Sequence, residues 1–277
     1  MGVLLLIPLN VLIFNLALFP AEHTLRVSFL DVGQGDSILI QGPTGLRMLV
    51  DGGPDRSVVR ELPKLLGPLQ KTIDVMVETH PDKDHIAGLA DVLEIYEVKN
   101  ILSPGLPSDT NVYARLVSAA ESEQGIQSYL ARRGMRIHLG GGAYADVLYP
   151  DHDVSRLKAT NDASIVLHVV YGQTSFMLTG DMASLIEDEL VREVAIEDLA
   201  SDVLKVGHHG SKYSTDEVWL REVSPSVAVI SAGKGNTYGH PAPEVLGRIE
   251  KQGARILSTM DQGTITLVSD GVHVVEK

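Results

Sequence analysis

From residue 25 onward, short apolar runs alternate with glycine-rich breaks, and amphipathic stretches follow several of them. Runs at 25–30, 37–41 and 47–50 read as a strand meander, with Gly33, Gly35, Gly42, Gly45 and Gly52-Gly53 as turns. A helix at 58–66, a strand at 73–77 and an amphipathic stretch at 86–98 follow. The pattern then predicts a strand near 101, helices at 112–122 and 126–132, and strands at 136–139, 146–149, 164–170 and 175–178. A helix at 183–194, a strand at 202–206, a helix at 215–221, a strand at 227–231 and a helix at 243–251 come next, and strands at 256–258, 264–268 and 272–274 close the chain. Two strand-rich halves that each carry helices predict an α/β sandwich of two mixed sheets with helices outside, whose strand-end loops meet along one edge.

Residues 3–19 differ from everything after them. They are almost wholly apolar, broken by Pro8, Asn10 and Asn15, and no Lys or Arg precedes Arg26. Seventeen helical residues are short but sufficient for a hydrocarbon core, and a secretory signal would begin with positive charge. Residues 1–20 are therefore expected to span or anchor in a membrane as an N-terminal hydrophobic helix, and residues 21–277 to form one catalytic domain.

Composition narrows the chemistry. Thirty-six acidic against 23 basic residues give a net charge of −13, which disfavours gripping nucleic acid through the whole surface. Cysteine is absent, so disulfides and thiolate metal sites are excluded. Lys83, Lys205, Lys212 and Lys234 fall in or beside predicted loops and are expected to form a local cationic rim.

The stretch Thr79-His80-Pro81-Asp82-Lys83-Asp84-His85 places four potential metal ligands within six residues at a strand-to-helix junction. His80 and Asp82 can turn to one side there, and Asp84 and His85 to another, which suits two metal ions. Helix capping by Asp84 would explain one carboxylate, not four ligands. Three other strand-end clusters add candidates. Asp51-Gly52-Gly53 offers a carboxylate able to orient a histidine from behind. Thr179-Gly180-Asp181 offers one to bridge two cations, or to cap the next helix. Gly207-His208-His209-Gly210-Ser211 pairs two histidines on a glycine loop. Tyr238-Gly239-His240-Pro241 fixes another histidine between glycine and proline, with a simple turn as the alternative reading.

In their order and spacing these motifs resemble the metallo-β-lactamase superfamily, and within it the C-terminal domain of the ComEC family of DNA-uptake proteins. The residues concerned are Phe29-Leu30-Asp31-Val32-Gly33-Gln34-Gly35-Asp36-Ser37, Val50-Asp51-Gly52-Gly53, His80 to His85, Asn161-Asp162-Ala163-Ser164, Leu178-Thr179-Gly180-Asp181, His208-His209-Gly210-Ser211 and Tyr238 to Pro241. The resemblance implies the αββα sandwich and metal ligation by His80, Asp82, Asp84, His85, Asp181 and His208. The superfamily usually has histidine where Asp82 stands. Its third-motif histidine has no counterpart among His138, His152 and His168, and Asn161 stands near that place.

An oxygen-rich ligand set favours manganese for the two divalent ions, with zinc or magnesium as alternatives. The implied activity is hydrolysis of a phosphodiester, with Asp84 orienting or deprotonating water and His209 or His240 protonating the leaving oxygen. The resemblance further implies DNA as substrate, single-stranded or a duplex being unwound, with one strand degraded during uptake. It also implies a neighbouring membrane channel domain and a catalytic domain on the extracytoplasmic face. Two rivals stand beside this: hydrolysis of a small or cell-surface phosphodiester such as a phosphorylcholine ester, and a silent module attached to a channel.

Overall fold

The computed structural model describes residues 23–277. The expected N-terminal hydrophobic helix and membrane segment, residues 1–20, lie outside the described residues. Among those that are described, no helix is long and apolar enough to cross a membrane.

Two mixed sheets face each other. The first holds eight strands, in order β15-β14-β1-β2-β3-β4-β5-β6, where β1 is Leu25–Phe29, β2 Ile38–Gln41, β3 Arg47–Val50, β4 Thr72–Val77, β5 Glu97–Ser103, β6 Gln127–Leu130, β14 Ile265–Ser269 and β15 Val274–Glu276. The second holds seven, in order β13-β12-β11-β10-β9-β8-β7, where β7 is Arg136–Gly140, β8 Ala143–Tyr149, β9 Val166–Tyr171, β10 Thr174–Leu178, β11 Val203–Lys205, β12 Val227–Ile230 and β13 Arg255–Ser258. The last two strands do not stay with their half of the sequence. β14 pairs antiparallel with β1, so the chain's end closes the first sheet.

Three apolar layers hold this together. Phe29, Ile40, Val50, Phe176 and Val229 interdigitate between the sheets. Leu62, Ile86 and Leu89 cover the outer face of the first sheet, from helices α1 (Ser57–Leu66) and α2 (Lys83–Leu93). Leu190, Trp219 and Ile249 cover the outer face of the second, from α4 (Ser184–Glu193), α6 (Glu217–Val223) and α7 (Pro243–Gln252); α3 (Asn111–Ser122) and α5 (Ile196–Leu199) precede and follow α4. Helices outside two apposed sheets give the expected four layers.

Two elements depart from the apolar pattern. The stretch 126–132 was expected to be helical, but residues 127–130 form β6, paired parallel with β5. All four residues are exposed, so backbone pairing at a sheet edge, rather than a buried face, fixes their conformation. The stretch 86–98 divides at Leu93. Val98 belongs to β5, where it pairs with Ile73 and is buried against the sheet.

Candidate metal centre

At the strand-end edge, six loops deliver carboxylates and imidazoles to one point. The junction after β4 brings His80, fully buried, and Asp82, 40% exposed at its side chain. Asp82 occupies the N-cap position of α2, yet its side chain makes no capping hydrogen bond. The helix that begins at Ser184 is capped at Ala183, so Asp181 is not a cap either. Both carboxylates are thus available for chemistry.

The imidazoles are oriented from behind. His85 Nδ1 donates to Asp51 Oδ2 at 2.7 Å, and the Thr79 hydroxyl donates to the same oxygen at 2.7 Å. His80 Nδ1 lies 3.1 Å from that hydroxyl and 3.4 Å from Ser164 Oγ. Asp51 therefore fixes His85 directly and His80 through Thr79, the role its position after β3 suggested. Glycine makes the approach feasible: a Cβ on Gly88 would collide with the Gly52 carbonyl, and the Gly52 N–H donates to the His85 carbonyl at 2.6 Å. His209 Nδ1 donates to the Ser231 carbonyl at 2.9 Å. Each arrangement leaves Nε2 facing the centre.

What those nitrogens face is anionic. His85 Nε2 lies 3.3 Å from Asp181 Oδ1, and His209 Nε2 lies 3.4 Å from both Asp84 Oδ2 and Asp181 Oδ2. The His80 and His85 rings are 4.1 Å apart, the His85 and His209 rings 5.3 Å. His80, His85 and Asp181 form one group with ligand atoms within 4.8 Å of one another; Asp84, His85 and His209 form a second. Nε2 of His80, His85 and His209 and Oδ1 of Asp181 are buried without a hydrogen-bond partner. Buried polar atoms are normally paired, so four unpaired ones converging on one point fit a cation site.

The electrostatics agree. Burial opposes charging of His85, but Asp181 and Asp51 outweigh it and hold its pKa well above the usual histidine value. His209 is raised in the same way by Asp181 and Asp36 against its burial. Burial works against Asp181, yet His209 and His85 hold its pKa well below the carboxylate range. The carboxylates that raise these two histidines make a field that would also attract cations.

The two histidines of the Gly207 loop sit differently. Both adopt left-handed backbone, φ 47° for His208 and 54° for His209. His209 is buried among the carboxylates. The side chain of His208 is 28% exposed, with Nε2 3.7 Å from Asp181 Oδ2 and Nδ1 3.2 Å from Asn161 Nδ2. His240 packs edge-on against His208, 5.5 Å between rings. Burial and neighbouring histidines lower the pKa of both His208 and His240, so both rings are neutral near pH 7. Asp82, Asp84, Asp181, His208, His209 and His240 share the walls of one cleft of about 160 Å³.

One rim residue moves inside. Lys205 is fully buried, its ammonium paired with Asp36 and 3.8 Å from Asp181 Oδ1, so it is not part of a cationic rim. Burial disfavours its charge, but Asp36 and Asp181 raise its pKa. Lys83, Lys212 and Lys234 are exposed as expected. Asp36, quoted above only as part of a motif, is the residue whose role the sequence left unread: its Oδ1 lies 3.4 Å from His209 Nδ1. A Cβ on Gly35 would collide with the Asp84 carbonyl, which explains glycine beside Asp36.

Fold and site together define the class. The metallo-beta-lactamase superfamily profile matches residues 30–234, and the chain belongs to that superfamily. It is 33% identical over 258 residues to ComE operon protein 3 of Bacillus subtilis (strain 168), covering 87% of this chain and 32% of the relative. Recombination protein 2 of Haemophilus influenzae is 31% identical, covering 92% of this chain and 30% of the relative. Both are of the ComEC family the motifs resemble, and the chain spans about a third of the length of each. The crystal structure of the metallo-beta-lactamase fold protein YhfI from Bacillus subtilis superposes with a TM-score of 0.52 at 12% identity, covering 84% of this chain and 96% of that one, a likeness of fold.

Proposed function

We propose that the chain is a metal-dependent phosphodiesterase that cleaves DNA, in the context of DNA uptake. The observation that carries this is the convergence of buried, unpartnered imidazole and carboxylate atoms on one cleft. Asp36, Asp51, Asp82, Asp84 and Asp181 bring five negative charges and Lys205 one positive. The remaining four are what two divalent cations cancel.

His80, Asp82 and Asp181 would hold one ion, and Asp84, His85, His209 and Asp181 the other. His209 takes the ligand position assigned above to His208, because its free Nε2 faces Asp84 and Asp181. The carboxylate-rich set favours manganese. Bound divalent ions supply Lewis-acid stabilisation of phosphate and an activated water. The chain's own residues do the rest. Asp84, 32% exposed at its side chain and opening into the cleft, orients the attacking water. His208 and His240, neutral and at the cleft mouth, donate ring N–H hydrogen bonds to the non-bridging oxygens, and the leaving oxygen takes its proton from solvent water at the open mouth.

DNA as substrate is supported by the named relatives, and the membrane channel domain, N-terminal anchor and extracytoplasmic placement follow the same resemblance. The small cleft, about 160 Å³, also suits a second reading, hydrolysis of a small phosphodiester. A silent module would not need four unpartnered buried ligand atoms. With manganese, the purified chain is expected to degrade DNA and Asp84→Ala to abolish this. Turnover of a chromogenic phosphodiester with none on DNA favours the second reading; no turnover of either, or full activity in Asp84→Ala, removes both.

A further inference from the structure

Tyr238 is 70% exposed at the mouth of the cleft, although its loop is firmly held. Asn236 Oδ1 accepts from the N–H groups of Tyr238 and His240 at 3.1 and 3.2 Å, and its Nδ2 donates to the carbonyls of Gly233 and His240 at 3.0 and 2.6 Å. The Gly233 N–H donates to Gln34 Oε1 at 3.0 Å, tying the loop to the opposite sheet's first motif. The ring therefore stands at the cleft mouth on a loop whose backbone is fixed.

Its neighbours give the presentation a direction. The Tyr238 ring stacks on His240, 5.9 Å between centroids at 27°; His240 meets His208, and His208 reaches Asp181. Three rings thus lead from the proposed bridging carboxylate to the rim. The cleft is small, about 160 Å³, and a phosphodiester seated on its carboxylates and imidazoles would leave the adjoining sugar and base at that rim. With a net charge of −13, the surface offers little general attraction for the rest of the strand.

We propose that Tyr238, backed by His240, is a stacking platform for the nucleobase beside the phosphodiester being cleaved, and that the substrate is a single strand or a frayed end. The proposal rests on the phosphodiesterase reading above. Aromatic stacking is tolerant of base identity but requires a free base face. A base inside a duplex has both faces covered and must first be unstacked and unpaired, at a cost.

The test is a labelled single-stranded oligonucleotide carrying one abasic residue, cleaved with manganese and read position by position on a sequencing gel. The wild-type ladder should weaken about tenfold at the phosphodiester beside the missing base. Tyr238→Ala should cleave less at every normal position and show no local gap, and Tyr238→Phe should restore the gap. A wild-type ladder indifferent to the abasic residue, or a gap that persists in Tyr238→Ala, overturns the platform while the nuclease reading stands. The absence of any ladder removes both.

Discussion

The two sides of the metal cluster are built to different standards. On the side of His85 and His209 each imidazole is buried and backed by a strong acceptor, a carboxylate at 2.7 Å or a carbonyl at 2.9 Å. On the side of His80 the backing comes from two hydroxyls at 3.1 and 3.4 Å, and the facing carboxylate, Asp82, is 40% exposed. Asn161, near the place of the superfamily's further histidine, turns to His208 instead. Orientation fixed before binding costs no entropy at binding, whereas Asp82 must be immobilised. In the proposed two-ion site, the difference would make an ion at His80 the weaker and more exchangeable of the two.

Asp181 faces both sides, and its removal should have the largest effect. Asp181→Asn is expected to weaken binding of both ions by at least about 100-fold, read by calorimetry and by elemental analysis after dialysis. If one tightly held equivalent survives, Asp181 is not shared. Asp82→Ala should sharpen the contrast by lowering the stoichiometry from two ions to one, with the affinity of the remaining ion nearly unchanged. Loss of both ions in that variant breaks the comparison.

The backing residues come next. Asp51→Asn removes the acceptor that orients His85 and, through Thr79, His80, and should cost about 10- to 100-fold in metal affinity. Ser164→Ala touches only the His80 side, where a second hydroxyl remains, so a loss of a few-fold confined to the weaker ion is expected. Equal losses on both ions in Ser164→Ala would show that the sides are not independent.

How much of this was legible in the chain follows from the range over which each feature acts. The His80 to His85 stretch announced itself because its ligands are neighbours in sequence, and Asp51 because an aspartate between a strand and two glycines has few other uses. The choice between His208 and His209 was not legible. Adjacent residues in a tight left-handed turn point in different directions, and which one enters the cluster depends on Ser231, 22 residues away from His209. Lys205 read as a surface lysine because its partner, Asp36, comes from the other sheet. β6 read as a helix because all four of its side chains are exposed, so no buried face recorded its pairing.

The last effect concerns stability rather than metal, and it tests whether the well-built side is also braced by the fold. Glu187, buried on α4, accepts from the backbone N–H groups of Thr215 and Asp216, and the Thr215 hydroxyl in turn accepts from the N–H of Gly207, at the head of the His208-His209 turn. Burial raises the Glu187 pKa to about 7, the two N–H groups opposing it only in part. A carboxyl whose pKa is higher folded than unfolded contributes stability that is full below the unfolded value, near 4.5, and is lost as pH rises through 7. Between pH 5 and 7 the loss from this one group should be about 2 kcal/mol. Glu187→Gln cannot titrate, so the variant's stability should fall less steeply over that window, measured by denaturant unfolding of wild type and variant side by side. Its Gln amide can accept only one of the two N–H groups through oxygen, so a constant offset of about 1 kcal/mol is expected as well. Parallel curves for the two proteins would show that Glu187 stays ionised throughout, and that the two N–H groups, not the surrounding apolar packing, decide its charge.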